Sequence, residues 1–304
     1  MLIVKMGYTE TLASFLNLGV SLGDVLRTTF ILNYFKDWDV SWIVDEKAFP
    51  LLDGNPFIKR TVIWSGAEAV REKLGSEEFD LVINFENLSE ICEFVSLLKG
   101  RKFMGFSING LPDSVGSQRL IEISMSPEKK RRNVLSWQEI LANAIGKKWN
   151  GEKYILGYRP KSSVIYDIGF NWTTSNKWKN KVWPRNKWLK LEKSLNKKYT
   201  ISWQRGMNNL YEYIEWINSC KLIVTADTLG LHLALALNKR VVALFGPTSP
   251  HEVYLYELGS YLLPRKKYDC MPCFRTYCGR GKPCIELITP EEVKEAVEGE
   301  FKKT

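Results

Sequence analysis

The segment Ala226-Asp227-Thr228-Leu229-Gly230-Leu231-His232 follows the apolar run Leu222 to Thr225 and opens an apolar helical stretch. Asp227 and Thr228 therefore fall at a strand end and a helix N-terminus together. Free backbone N–H groups and the positive end of the helix dipole favour an anion there, and Thr228 adds a hydroxyl. A plainer reading makes Asp227 or Thr228 an N-cap and His232 a packed helix residue. Gly246, Pro247 and Thr248 lie in the turn after the next strand, either at the same edge or as an ordinary turn. Lys181 is a flexible point charge just before another helix. In the first half, Asp24 stands in the first turn of a helix, where a carboxylate can act as a base or complete a capping box with Ser21.

The spacing Cys270-x2-Cys273-x4-Cys278-x5-Cys284 is the other concentration of chemistry. Four thiolates can hold zinc or an iron-sulfur cluster, or close two disulfides. The segment lacks the paired CxxC knuckles of a zinc ribbon. Neither histidine, His232 or His251, is a sequence neighbour of the cysteines, which argues against a catalytic thiol. The cluster reads as a structural staple lying away from the anion-binding residues.

The elements that position these groups alternate. Leu2 to Met6, Val40 to Val44, Arg60 to Trp64, Asp80 to Asn84 and Arg101 to Phe106 read as strands, with helical patterns at Leu22 to Phe35, Ala67 to Leu74 and Ser89 to Leu98. Ser136 to Glu139 is a capping box opening a helix to about Ile145. Residues 146–157 are polar and glycine-containing, and a second alternating series follows from Val164 to Leu244. The pattern predicts an α/β protein with two Rossmann-like parallel-sheet domains facing a cleft. Residues 1–150 form the first domain, 151–288 the second, and 289–304 a C-terminal helix opened by Thr289-Pro290 that can pack back on the first domain.

Composition narrows the class. The chain is 45% hydrophobic and 25% charged, the signature of an ordinary folded protein rather than a disordered or fibrous one. No apolar run reaches the roughly 18 residues of a membrane span, and Met1 to Lys5 lacks the features of a signal peptide, so a cytoplasmic location is expected. The formal charge is +9, and Asn171 to Asn208 carries ten basic residues against one acidic, so the excess is local. Such a stretch fits phosphate, a lipid headgroup or nucleic acid. Trp172, Trp178, Trp183, Trp188 and Trp203 are interleaved with it, but Trp183 and Trp188 read as helix-packing residues, which argues against nucleic acid.

Taken in order, these motifs resemble glycosyltransferase family 9, the ADP-heptose:lipopolysaccharide heptosyltransferases. Asp227-Thr228, Gly230, His232 and the Phe245-Gly246-Pro247-Thr248 turn are similar to the family's donor signature. Gly23-Asp24 with Arg27 resembles its N-terminal segment, and Lys181-Val182-Trp183-Pro184 its Lys-x-Trp-Pro motif. Leu229 separates Thr228 from Gly230, Tyr8 to Leu18 lengthens the first loop, and the stretch from Tyr199 to Leu210 is abbreviated.

The resemblance implies a GT-B fold and an inverting transferase that needs no catalytic metal or further cofactor. Asp24 would be its base, with Gly23 and Arg27 on the acceptor side. Lys181, Asp227, Thr228, Gly230, His232, Gly246, Pro247 and Thr248 would hold a nucleotide sugar, with ADP-heptose the best match. The acceptor would be an anionic glycolipid of the lipopolysaccharide core, met by a peripheral protein at the inner face of the inner membrane. Cys270, Cys273, Cys278 and Cys284 would be structural, as in family members with a similar cluster. The alternative is a non-catalytic nucleotide-sugar or glycolipid-binding protein; a metal-sensing or nucleic-acid module ranks third.

Overall fold

The computed structural model describes residues 1–8, 19–108, 115–206 and 209–303. The lengthened first loop falls on residues 9–18, outside the described residues. The chain divides into two compact units, Met1–Arg159 and Pro160–Thr304.

The first unit runs β1 (Leu2–Val4), α1 (Leu22–Thr28), β2 (Ser41–Val44), β3 (Arg60–Ile63), α2 (Ala67–Leu74), β4 (Glu78–Phe79), β5 (Val82–Asn84), α3 (Ser89–Ser96), β6 (Lys99–Gly100), β7 (Phe103–Gly105), α4 (Val115–Met125), α5 (Pro127–Arg132) and α6 (Trp137–Ala144). Its main sheet is parallel, in the order β3-β2-β1-β5-β7. β1 and β5 are wholly buried, and apolar save for Asn84 at the end of β5, as a sheet covered on both faces requires. The helix expected over Leu22 to Phe35 is α-helical only to Thr28 and continues as a 3-10 turn, Thr29–Tyr34. Thr28 donates its hydroxyl to Asp24 O at 2.7 Å and Thr29 to Leu26 O at 2.6 Å, competing with the regular ladder at the changeover.

The second unit runs β8 (Tyr166–Asn171), α7 (Arg185–Leu195), β9 (Ile201–Trp203), α8 (Leu210–Asn218), β10 (Cys220–Ala226), α9 (Leu229–Ala236), β11 (Arg240–Leu244), β12 (Gly259–Leu262) and α10 (Pro290–Lys302). Its sheet is parallel, in the order β12-β11-β10-β8-β9. The chain fills one side with β8 and β9, then crosses to build β10, β11 and β12 on the other. The carboxyl ends of β8 and β10 thus flank a topological switch point, the place where open α/β sheets bind ligands.

Trp183 and Trp188 are each 1% exposed and belong to this unit's core, as their packing role predicted. Val293 and Val297 of α10 join the same core, so the helix's apolar face is used within the second unit. Thr289 and Glu292 form the reciprocal capping box at its start. Near its end Glu300, 2% exposed, meets Arg240 at 3.0 Å and Lys303 at 2.8 Å.

Candidate functional site

Asp227 follows β10 directly, and its carboxylate is the hub of the switch-point cluster. Lys181 donates from Nζ to Asp227 Oδ2 at 2.7 Å and to Asp227 O at 3.0 Å, while Thr248 Oγ1 donates to Oδ2 at 2.8 Å. The Lys181 and Asp227 side chains are 10% and 14% exposed. Burial by itself would raise the Asp227 pKa, but the Lys181 charge, then His232 and the hydrogen bonds of Lys181 and Thr248, bring it down to about 2. The carboxylate is therefore ionised at neutral pH and holds Lys181 in place. The ammonium also lies 4.4 Å from the centre of the Trp178 ring, a cation–π arrangement. Of its three N–H donors, two are directed at Asp227, which leaves one for an incoming anion.

Thr228 is the N-cap of α9 by position, with extended backbone, yet its side chain makes no cap bond. Its Oγ1 instead accepts from Asn171 Nδ2 at 3.0 Å and lies 3.2 Å from Thr225 Oγ1. Thr228 thus holds the N-cap position without capping through its side chain, and the Asp227 carboxylate is taken by Lys181 and Thr248. Leu229 and Gly230 open α9 just after the end of β10, and Leu231 N donates back to Thr228 O at 3.0 Å.

Gly230 is required by packing: a Cβ there would meet Asn171 Nδ2 at 2.1 Å and Tyr213 Oη at 2.5 Å. Asn171 was not anticipated. It ends β8, donates to Thr225 Oγ1 at 2.7 Å, accepts from Tyr213 Oη at 2.8 Å, and so ties β8 to β10 across the switch point. A buried asparagine closing a hydrophobic strand was its only sequence signal. His232 is buried in α9 and is among the groups that lower the Asp227 pKa.

The structure thus brings together Lys181, Asp227 and Thr248, with Thr228 joined to the strand ends through Asn171. Gly246 and Pro247 precede Thr248 in the turn after β11.

In the first unit, Asp24 lies in the first turn of α1 beside the buried Gly23, its side chain 23% exposed. Ser21 makes no side-chain cap bond, so the capping-box alternative does not hold. Asp24 Oδ1 pairs instead with Arg27 Nη2 at 2.9 Å, and the Arg27 guanidinium lies 4.8 Å from the centre of the Trp137 ring. This pairing holds the carboxylate in one orientation at the helix start.

Among the described residues all six cysteines are free thiols, and no group of three acidic, histidine or cysteine residues is placed to hold a metal ion. The cysteine loop does not lie away from the switch-point residues as expected. Phe274 N donates to Pro247 O at 2.8 Å, and Asn180 Nδ2 donates to Arg275 O at 2.5 Å. The sequence order between β12 and α10 concealed this, because the loop folds back across the end of β11.

The sequence profile of glycosyltransferase family 9 (heptosyltransferase) matches residues 205–282, which include Asp227, Thr228, Gly230, His232, Gly246, Pro247, Thr248 and the first three clustered cysteines. A lipooligosaccharide heptosyltransferase 2 from Haemophilus influenzae is 44% identical over 45 residues, 15% of this chain and 13% of that protein. Over residues 205–282 the chain is similar to glycosyltransferase family 9. Solved structures of the family share the fold. A family 9 glycosyl transferase from Veillonella parvula superimposes with a TM-score of 0.68 at 16% identity, covering 100% of this chain and 97% of that one. The E. coli heptosyltransferase WaaC, determined with ADP-2-deoxy-2-fluoro heptose, gives 0.64 at 17% identity, covering 98% of each chain. The two parallel-sheet units are the α/β architecture of the GT-B type. The chain spans 13% of the length of the Haemophilus influenzae relative it matches.

Proposed function

We propose that the protein is an inverting glycosyltransferase that moves heptose from ADP-heptose onto a lipopolysaccharide core or a related glycolipid. The observation that carries the reading is the Lys181–Asp227–Thr248 cluster at the switch point beside the N-terminus of α9. Departure of a nucleoside diphosphate builds negative charge on its terminal phosphate, and a fixed ammonium with helix N–H groups stabilises that charge. Asp227 keeps Lys181 oriented and is not itself a phosphate ligand, since two anions would repel.

In this reading Asp24 accepts the proton of the acceptor hydroxyl. The hydroxyl oxygen forms the new bond to the anomeric carbon, the bond from that carbon to the phosphate oxygen breaks, and the electron pair leaves with the diphosphate. Lys181 and the first turn of α9 receive the diphosphate.

The acceptor is read as an anionic glycolipid, and the enzyme as peripheral on the inner face of the inner membrane. No described helix is long and apolar enough to cross a membrane. In support, α5 exposes Lys129, Arg131 and Arg132, with Lys130 half-buried, and is flanked by Met125 and Val134 at 53% and 68% exposure. Basic charge beside exposed apolar groups suits an anionic lipid surface. A non-catalytic binding protein has no observation in its favour.

The test follows ADP release and product mass with ADP-heptose and a heptose-deficient core glycolipid. Asp24→Asn should lower turnover roughly 10²- to 10⁴-fold with ADP affinity preserved. Turnover near that of the unaltered protein would remove Asp24 from the chemistry, and absence of transfer from any nucleotide sugar would overturn the reading as a whole.

A further inference from the structure

The cysteine loop touches the switch-point cluster along two separate walls. On one, a Cβ built on Gly246 would meet Ile285 Cβ at 2.9 Å and Cys284 Sγ at 3.2 Å, and Phe274 N holds the carbonyl of the next residue, Pro247, at 2.8 Å. On the other, Asn180, 4% exposed, donates to Arg275 O at 2.5 Å and is followed in the chain by Lys181. Lys187 extends this wall by donating to Glu286 O at 2.6 Å and Ile288 O at 2.8 Å. Both walls end on one carboxylate, because Thr248 and Lys181 share Asp227 Oδ2.

We propose that the cysteine-bearing loop is a positioning clamp on this anion site, so that a chemical change at Cys284 weakens binding of a nucleoside diphosphate and a bound nucleoside diphosphate shields Cys284. The proposal rests on the reading of the Lys181 cluster as the diphosphate site. Its first support is steric. Cys284 is 6% exposed and packs on a glycine with no room for even a methyl group, so an adduct on Sγ must push the Gly246 turn outward and draw Thr248 from Asp227. Its second is the tether: with Asn180 released, the segment carrying Lys181 loses its hold on the loop. Burial, with Cys273 and Cys278 adding to it, pushes the Cys284 thiol up to about 11, so the closed loop presents little thiolate and alkylation proceeds through opening. Coupling of this kind is reciprocal, so whatever opening does to ligand affinity, the ligand does to opening.

The experiment uses the full chain and ADP as the probe. Iodoacetamide labelling is followed residue by residue by peptide mass, with and without ADP, and ADP affinity is measured by calorimetry. ADP at a hundred times its Kd should slow labelling of Cys284 by up to about a hundredfold, while the half-buried Cys270, Cys273 and Cys278 change less. Asn180→Ala should weaken ADP about three- to thirtyfold. Val297→Ala, in the same unit's core, should lower Tm and leave ADP affinity unchanged, which separates clamping from general loosening. If Lys181→Ala weakens ADP but Asn180→Ala does not and ADP fails to protect Cys284, the clamp is refuted and the site stands. If Lys181→Ala also leaves ADP affinity unchanged, the site reading is what fails. Should alkylated protein unfold, the protection rate and Asn180→Ala still decide.

Discussion

Asp227 is ionised because its neighbours outweigh its burial, and that has a measurable consequence for acid stability. Its folded pKa, about 2, lies below the ordinary 3.8, so its contribution is fully present above about pH 4 and is lost as pH falls toward 2. The contribution at neutral pH is of the order of 2 kcal/mol. Asp227→Asn should therefore be less stable than the unaltered protein at pH 7, with the gap closing between pH 4 and pH 2; urea titrations across that range read it directly, and a gap independent of pH would show that the ion pair adds nothing. Lys181 and Thr228 differ in kind. Removing the ammonium deletes a charge, whereas Thr228 Oγ1 is already engaged by Asn171. Lys181→Ala should weaken ADP more than Thr228→Ala in calorimetry; the reverse order would move the diphosphate toward the hydroxyl.

At the scale of elements, β1 and β5 are locked by a charge pair that the candidate chemistry does not use. Lys5 and Glu86 have fully buried side chains 3.3 Å apart, and Glu86 Oε1 also accepts from the backbone N–H groups of Met6 and Gly7 at 2.7 and 2.6 Å. A carboxylate with these partners fixes the path of the chain as it leaves β1. Lys5→Met removes the compensating charge and leaves Glu86 buried, which should cost about 3–5 kcal/mol in denaturant unfolding. A loss under 1 kcal/mol would mean the carboxylate is satisfied by the backbone alone. In the second unit, Asn171 plays a comparable part for β8 and β10, through hydrogen bonds in place of charge.

For the molecule as a whole, every group assigned to the nucleotide lies between Lys181 and Thr248, inside the second unit. ADP at a hundred times its Kd stabilises the folded state it binds by about 2.7 kcal/mol. Hydrogen exchange should accordingly slow in β10, α9 and the Gly246–Thr248 turn. Exchange that slows only around Asp24 would place the nucleotide in the first unit.

Hydrophobic periodicity and turn residues determined the alternation of strands and helices, because each element buries one face and its length is punctuated locally. Ala67–Leu74 appears with the boundaries read from sequence, and β2 and β3 lie within a residue of theirs. The capping box at Ser136 and the helix opening at Thr289, which are local hydrogen-bond patterns, also appear as read. Asp227, Lys181 and Thr248 could each be singled out from their place at an element's end. Their convergence on one carboxylate could not, since Lys181 and Asp227 are joined only by the crossover that places β10 beside β8. Ser21-x-x-Asp24 has the letters of a capping box, but Arg27 one turn on offers Asp24 a charged partner and takes it. Gly230 and Gly246 are demanded by side chains distant in sequence, and the cysteine loop reaches Pro247 and Asn180 only by folding back. Local order is written in neighbouring residues; which distant groups share a hydrogen bond is decided by sheet order and close packing.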